Sequence, residues 1–199
     1  MEKKRTARLE GEFHTHNFLW SDLEDIWKQL GDRELTDHGL YTAALVLLSS
    51  CLEAHANFLG AILFPSEWKG IADYLRTAKR RGVIGRVDYL AELLGVELDR
   101  SREPYSLLVD LEKRRHRLVH PELELIDKTV EFVDASSLRP PDTEYFDIAS
   151  PEFLNRARAA VEAVASELHK VAFRDFPHRV FGERPFSGVM GIRGVSIES

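Results

Sequence analysis

Cysteine is nearly missing from this sequence. Cys51 stands alone among 199 residues, which excludes an internal disulfide and any cysteine-based zinc set, and which suits a reducing cytoplasmic setting. Missing as well are a glycine-rich phosphate loop, an HExxH motif, the residue order of a Ser-His-Asp hydrolase and any internal repeat. The start, Met1 to Arg8, carries the charge of a secretory leader, but no apolar stretch follows it, so no signal peptide is expected. An excess of positive charge is lacking too. A net charge of -6 argues against a protein that coats nucleic acid nonspecifically, while leaving room for a local basic patch.

What is present fits one soluble domain with a sizeable core: 44% of residues are hydrophobic and 30% charged. Leu9, Phe13, His16, Trp20, Leu23, Trp27 and Leu30 recur at alternating steps of four and three. That stripe predicts a helix over 7–30 with Gly31 as its stop. Ser21 and Glu24 have capping-box spacing, so a break near Trp20 is a competing reading. His14 and His16 invite a metal reading, but His16 falls in the stripe and no acidic or cysteine partner is in range. A core role is the better account.

Thr36 or Asp37 caps a second helix over 36–63, the most apolar part of the chain. Its length would allow a membrane span, but Glu53, His55 and Asn57 argue instead for a central bundle helix and for no membrane. Ser50, Glu53 and Asn57 are spaced i, i+3, i+7 and form one polar strip on it. A buried carboxylate needs a partner. Glu53 either satisfies a loop or a lysine, or it faces an arginine on the helix described next.

That helix spans 102–120, with Ser101 as a candidate cap, Pro104 in its first turn and Pro121 as its stop. At about 100° per residue, Leu108, Leu111, Leu118 and Val119 share a face, and Arg115 falls among them. An unpaired guanidinium in an apolar seam is costly, so Arg115 should meet a carboxylate, a partner chain or a phosphate. Glu112, His116 and His120 make the adjoining edge polar. His120 falls in the last turn, where orphan carbonyls favour positive charge.

The remaining segments are less patterned. Ile71 and Leu75 suggest one short helix, and Val87, Leu90, Leu93 and Leu94 another, closed by Gly95. The basic turn between them, Lys79 to Arg86, reads as a solvated charge run. Residues 122–133 alternate like a small hairpin turning at Asp127-Lys128. Ser150-Pro151-Glu152 starts a last helix over 151–173. The expected fold is therefore all-α: an up-and-down helical bundle of about four main helices, with short extra helices and a minor β-hairpin. Its domain covers 1–174, and an irregular tail over 175–199 packs on the domain or on a partner.

The spacing Arg115-His116-x-x-x-His120, at a helix end before a proline, resembles the Arg, polar residue, three residues, His motif of the HEPN superfamily. The Glu53 and Asn57 strip after a run of aliphatics is similar to the first core helix of many such domains. The resemblance covers about residues 36–173, and its specific part is Glu53, Asn57, Arg115, His116 and His120. It implies a metal-independent endoribonuclease of a toxin–antitoxin or antiphage system. It also implies a homodimer with the motif helices facing each other, an RNA substrate, and an antitoxin or defence-system protein as a possible further partner. In that reading His120 moves the proton, Arg115 clamps the phosphate, His116 orients its neighbour or touches substrate, and Glu53 holds Arg115. Neither metal nor cofactor is needed for such chemistry. Two rivals stay open: a noncatalytic dimeric interaction or RNA-binding module, and a metal bound by His116 and His120, which lacks a third ligand.

Overall fold

The most apolar stretch of sequence becomes the axis of the molecule. The computed structural model describes residues 6–31, 38–78, 81–120, 147–180, 182–187 and 190–198. In chain order these form β1 (Thr6–Phe13), α1 (Thr15–Gly31), α2 (His38–Leu63), α3 (Pro65–Lys69), α4 (Ile71–Thr77), α5 (Gly82–Leu94), α6 (Tyr105–Val119), α7 (Pro151–Asp175) and β2 (Met190–Glu198). The described chain is mostly helical. α1, α5, α6 and α7 all pack on α2, which buries Leu45, Leu48, Leu52, Ala56 and Leu59 against them. α2 is long and apolar enough to cross a bilayer by composition, but half of its most apolar window is covered by the other helices.

Local chemistry accounts for the helix ends. The Ser150 side chain accepts a hydrogen bond from the Phe153 amide at 3.3 Å, Pro151 takes the first turn and Glu152 follows it. Leu154, Ala157, Val161, Val164 and Leu168 then form the buried face of α7. α5 stops at Gly95, whose φ of 68° is left-handed and so favours glycine. α6 is capped differently from the expectation. It begins after Pro104 with no side-chain cap, and Ser101 instead binds Asp99 through its amide and hydroxyl, at 2.9 and 2.7 Å. The first turn is anchored from within: the buried Tyr105 hydroxyl donates to Asp88 of α5, whose other oxygen accepts from Arg100 at 2.6 Å.

The two ends of the chain depart from the sequence reading. Residues 6–13 are a strand, not the first turns of a helix, and 190–198 are a strand within what reads as an irregular tail. They pair antiparallel, Thr6 with Glu198 and Phe13 with Met190, with a register shift between Glu10 and Gly11. A spacing of four, as between Leu9 and Phe13, fits a period of 3.6 and a period of 2 equally well. Ala7, Leu9, Gly11 and Phe13 also alternate with Arg8, Glu10 and Glu12. Gly11 disfavours the helical choice, and the partner strand supplies the rest. The hairpin expected over 122–133 lies outside the described residues.

The contact between α2 and α3 is the tightest of the glycine approaches. Gly60 lies under the Trp68 indole, and a Cβ there would sit 2.1 Å from Trp68 Cδ2. On helix propensity alone, Gly60→Ala would stabilise the chain by about 1 kcal/mol. Overpacking of this kind costs about 1–3 kcal/mol, and Trp68 is itself buried with little room to move. Gly60→Ala should therefore lower the thermal midpoint. An unchanged or higher midpoint would show that α3 gives way freely.

Candidate functional site at the end of α6

α6 divides into two halves. Tyr105, Leu107, Leu108 and Leu111 are buried in the bundle, so Leu111 belongs to the core and is not available to a partner. From Glu112 onward the helix emerges. Leu118 is half-buried and Val119 is 50% exposed, so the apolar seam read from the sequence stays open at its C-terminal end.

Arg115 is partly covered, and its counter-charge lies on its own helix. Its Nη1 donates to Glu112 Oε1 at 3.3 Å, while Glu112 Oε2 accepts from the Ser49 hydroxyl of α2 at 3.0 Å. Glu112 is thus fixed from below by α2 and holds the guanidinium from one side. The start of α5 closes over it: Gly82 has a φ of 60°, and a Cβ there would meet Glu112 Oε1 at 2.6 Å. Arg115 Nε is buried with no partner among the described residues.

The expected Glu53–Arg115 pair is not formed within the chain. Glu53 Oε1 lies 3.4 Å from Arg86 Nε of α5, and Asn57 Oδ1 accepts from the same Nε at 3.2 Å. Helical phase explains the exchange. Ser49, not Ser50, faces α6; Ser50 donates back to the Val46 carbonyl, while Glu53 and Asn57 turn toward α5. Arg86, read from the sequence as part of a solvated basic turn, is in fact the cation that neutralises the polar strip. Nothing in the local sequence separates Arg86 from its neighbours at 79–81, because the distinction comes from the orientation of α5.

His116 and His120 are exposed on the last turn of α6, with ring centroids 4.9 Å apart. The His120 amide donates to the His116 carbonyl at 2.9 Å, which fixes the backbone of the final turn. On the neighbouring side of the same turn, an open cleft of about 440 Å³ is lined by Asp110, Lys113, Arg114, Arg117, Asp147 and Ile148. Arg114 is committed there, donating to the Asp147 and Ile148 carbonyls and lying 4.0 Å over the Phe153 ring. The structure therefore brings His116 and His120 together on one exposed edge of the helix end, keeps Arg115 on the partly covered side beside Glu112, and leaves Glu53 and Asn57 facing α5. Among the described residues no group of three or more His, Cys, Asp or Glu side chains is arranged to hold a metal ion. Cys51 is no alternative nucleophile: burial, reinforced by Asp22, pushes its thiol up to about 12, and it stays protonated.

The pairing has a direct test. Glu112→Ala leaves a partly buried guanidinium with fewer partners, so Glu112→Ala and Arg115→Ala should be nonadditive by about 1 kcal/mol in urea unfolding. Glu53→Ala and Arg115→Ala should simply add. The reverse pattern would restore the Glu53–Arg115 pair.

Comparison with known proteins finds no matching family model, no similar curated protein and no similar solved structure.

Proposed function

We propose that the chain is a metal-independent endoribonuclease of HEPN type, acting in a toxin–antitoxin or antiphage setting, with its site at the end of α6. The observation that carries this reading is the joint exposure of two imidazoles one helical turn apart, on the same helix end that carries a guanidinium held by Glu112. A buried histidine pair would speak for core packing.

RNA cleavage by internal attack needs three things. A base removes the 2′-OH proton as that oxygen bonds to phosphorus, an acid protonates the departing 5′ oxygen, and positive charge stabilises the phosphorane between. An imidazole that titrates near neutral pH serves either proton transfer, and a planar guanidinium serves the third. His120, at the helix end, takes the proton-transfer role, Arg115 clamps the phosphate, and His116 orients His120 or touches the substrate. In a homodimer with two α6 helices face to face, two such sets combine, one able to act as base and the other as acid. The open strip of Leu118 and Val119 supplies apolar surface for that contact.

Purified protein should cut RNA in EDTA and leave 2′,3′-cyclic phosphate ends. His120→Ala should abolish cutting with an unchanged melting curve, because the side chain it removes is exposed. Cleavage that persists in that variant would remove His120 from the mechanism. Intact protein with no cleavage of any RNA offered would favour the noncatalytic module.

The assembly is tested separately by light scattering at micromolar concentration, where the mass of two chains is expected. Val119→Arg places a cation at a helix C-terminus, which the monomer tolerates, yet it should shift the mass toward one chain. A wild-type mass of one chain would count against the combined site.

A further inference from the structure

Away from α6, a set of buried imidazoles joins α1, α2 and α7 to the segment that follows α7. His16 of α1, His55 of α2 and His169 of α7 are all at most 2% exposed. Their rings are close: His16 to His55 is 5.3 Å between centroids and His55 to His169 is 5.5 Å. Residues 182–187 lie over them as a strap. Phe186 packs 6.3 Å from His16 and 5.5 Å from His55, and it stacks on Trp20 at 4.2 Å with the planes 3° apart. Asn17 donates to the Ser187 carbonyl at 3.2 Å.

The hydrogen bonds fix where the protons are. His169 Nε2 lies 3.0 Å from the Gly182 carbonyl oxygen, which can only accept, so that nitrogen carries a proton. In the neutral ring Nδ1 is then an acceptor, and it lies 3.3 Å from His55 Nε2. His55 must therefore donate from Nε2 and keep Nδ1 bare. That Nδ1 is buried with no hydrogen-bond partner among the described residues. The chain of donors runs from His55 through His169 to the strap carbonyl, and it requires His169 to be neutral with its Nδ1 bare. A further proton would sit on His55 Nδ1, charged and without an acceptor.

We propose that His16, His55 and His169 form a proton-operated latch: neutral, they hold the 182–187 strap on the bundle, and on protonation they release it while the helices remain folded.

The surrounding charges favour the neutral state. Burial, then His14 and His169, push His16 down to about 4, against a hydrogen bond with the Pro185 backbone. Burial, then His16 and His169, hold His55 well below the ordinary range, and burial lowers His169 against its bond to Gly182. The electrostatic neighbours of the three rings are thus other imidazoles from α1, α2 and α7 and the residue before α1. Cys51, one turn before His55, is neutral, and the strap's own charged side chains, Glu183 and Arg184, are exposed. The sign follows directly. Each folded value lies below the ordinary 6.5, so the open form takes up more protons. Stability of the closed strap is present above about 6.5 and is lost as pH falls toward about 4. The strap opens first because it is short and exposed at Gly182 to Arg184, whereas α2 and α7 are held by the core.

Hydrogen exchange of the whole chain, read by mass spectrometry between pH 7.5 and 4 and corrected for intrinsic rates, tests this. Peptides covering 180–187 should lose protection as pH falls below 6.5, while α2 peptides and the helical circular dichroism persist to lower pH. Loss of both together would overturn the latch and leave the histidines as core residues. His55→Phe keeps a ring but cannot titrate, and should move the release at least half a pH unit lower; if it folds and releases at the wild-type pH, the proposal fails. Should that variant not fold, the wild-type comparison still decides. Release should be the same in EDTA and with one equivalent of zinc ion. Zinc that keeps the strap closed at pH 5 would make the ligand a metal instead of a proton.

Discussion

α2 is enclosed on several sides, and that enclosure sets the terms for every polar group it carries. A helix surrounded by α1, α5, α6 and α7 can place few side chains in water, so a polar residue either bonds back to its own helix, as Ser50 does, or finds its partner on a neighbouring one. Ser49 reaches Glu112 of α6, Glu53 and Asn57 reach Arg86 of α5, and His55 reaches His169 of α7. These are directional contacts on an otherwise apolar surface. Apolar packing tolerates rotation of one helix against another, whereas a hydrogen bond near 3 Å does not. The polar positions of α2 therefore fix the rotation of three neighbours, and through Glu112 the position of Arg115.

How much of this is legible in the sequence depends on whether the deciding interaction is local. Ser150-Pro151-Glu152 and Gly95 act within one turn, and both mark the ends of their helices as read. The apolar run and the stripe that predict helices over 36–63 and 151–173 need only periodicity, and the structure has helices at His38–Leu63 and Pro151–Asp175. Partners are another matter. Several helices pack on α2, and the sequence says that Glu53 needs a cation without saying whether Arg86 or Arg115 supplies it. The choice turns on a rotation of about one residue, roughly 100° on the helix. The strands at the two ends fail for a related reason. Leu9 and Phe13 fit two periods, and the partner that selects between them lies some 180 residues away, at Met190–Glu198.

Histidine shows the same division in a form that bears on function. His14 and His16 read as core residues, and the structure buries both. What the sequence withholds is that His55 and His169 join them, since four positions on three elements and a preceding turn carry no shared spacing. His116 and His120 are the opposite case. Their spacing of four is local and puts them on one edge of α6 wherever that helix packs, and only their exposure had to come from the fold.

The cations of α6 weigh less than they first suggest. Between residues 110 and 120 the chain places Lys113, Arg114, Arg115 and Arg117 against Asp110 and Glu112, an excess of two within a chain of net charge -6. A helix C-terminus attracts such charge for its own stability, because its last carbonyls lack partners. Lys113 is also paired with Asp110, and Arg114 caps the carbonyls of Asp147 and Ile148. Most of this basic character thus has a structural use. Arg115 differs: it is partly buried, clamped by a glutamate that α2 and Gly82 hold in place, and one of its nitrogens remains unmatched. In the proposed function this guanidinium, and not its neighbours on α6, is the one that receives the phosphate.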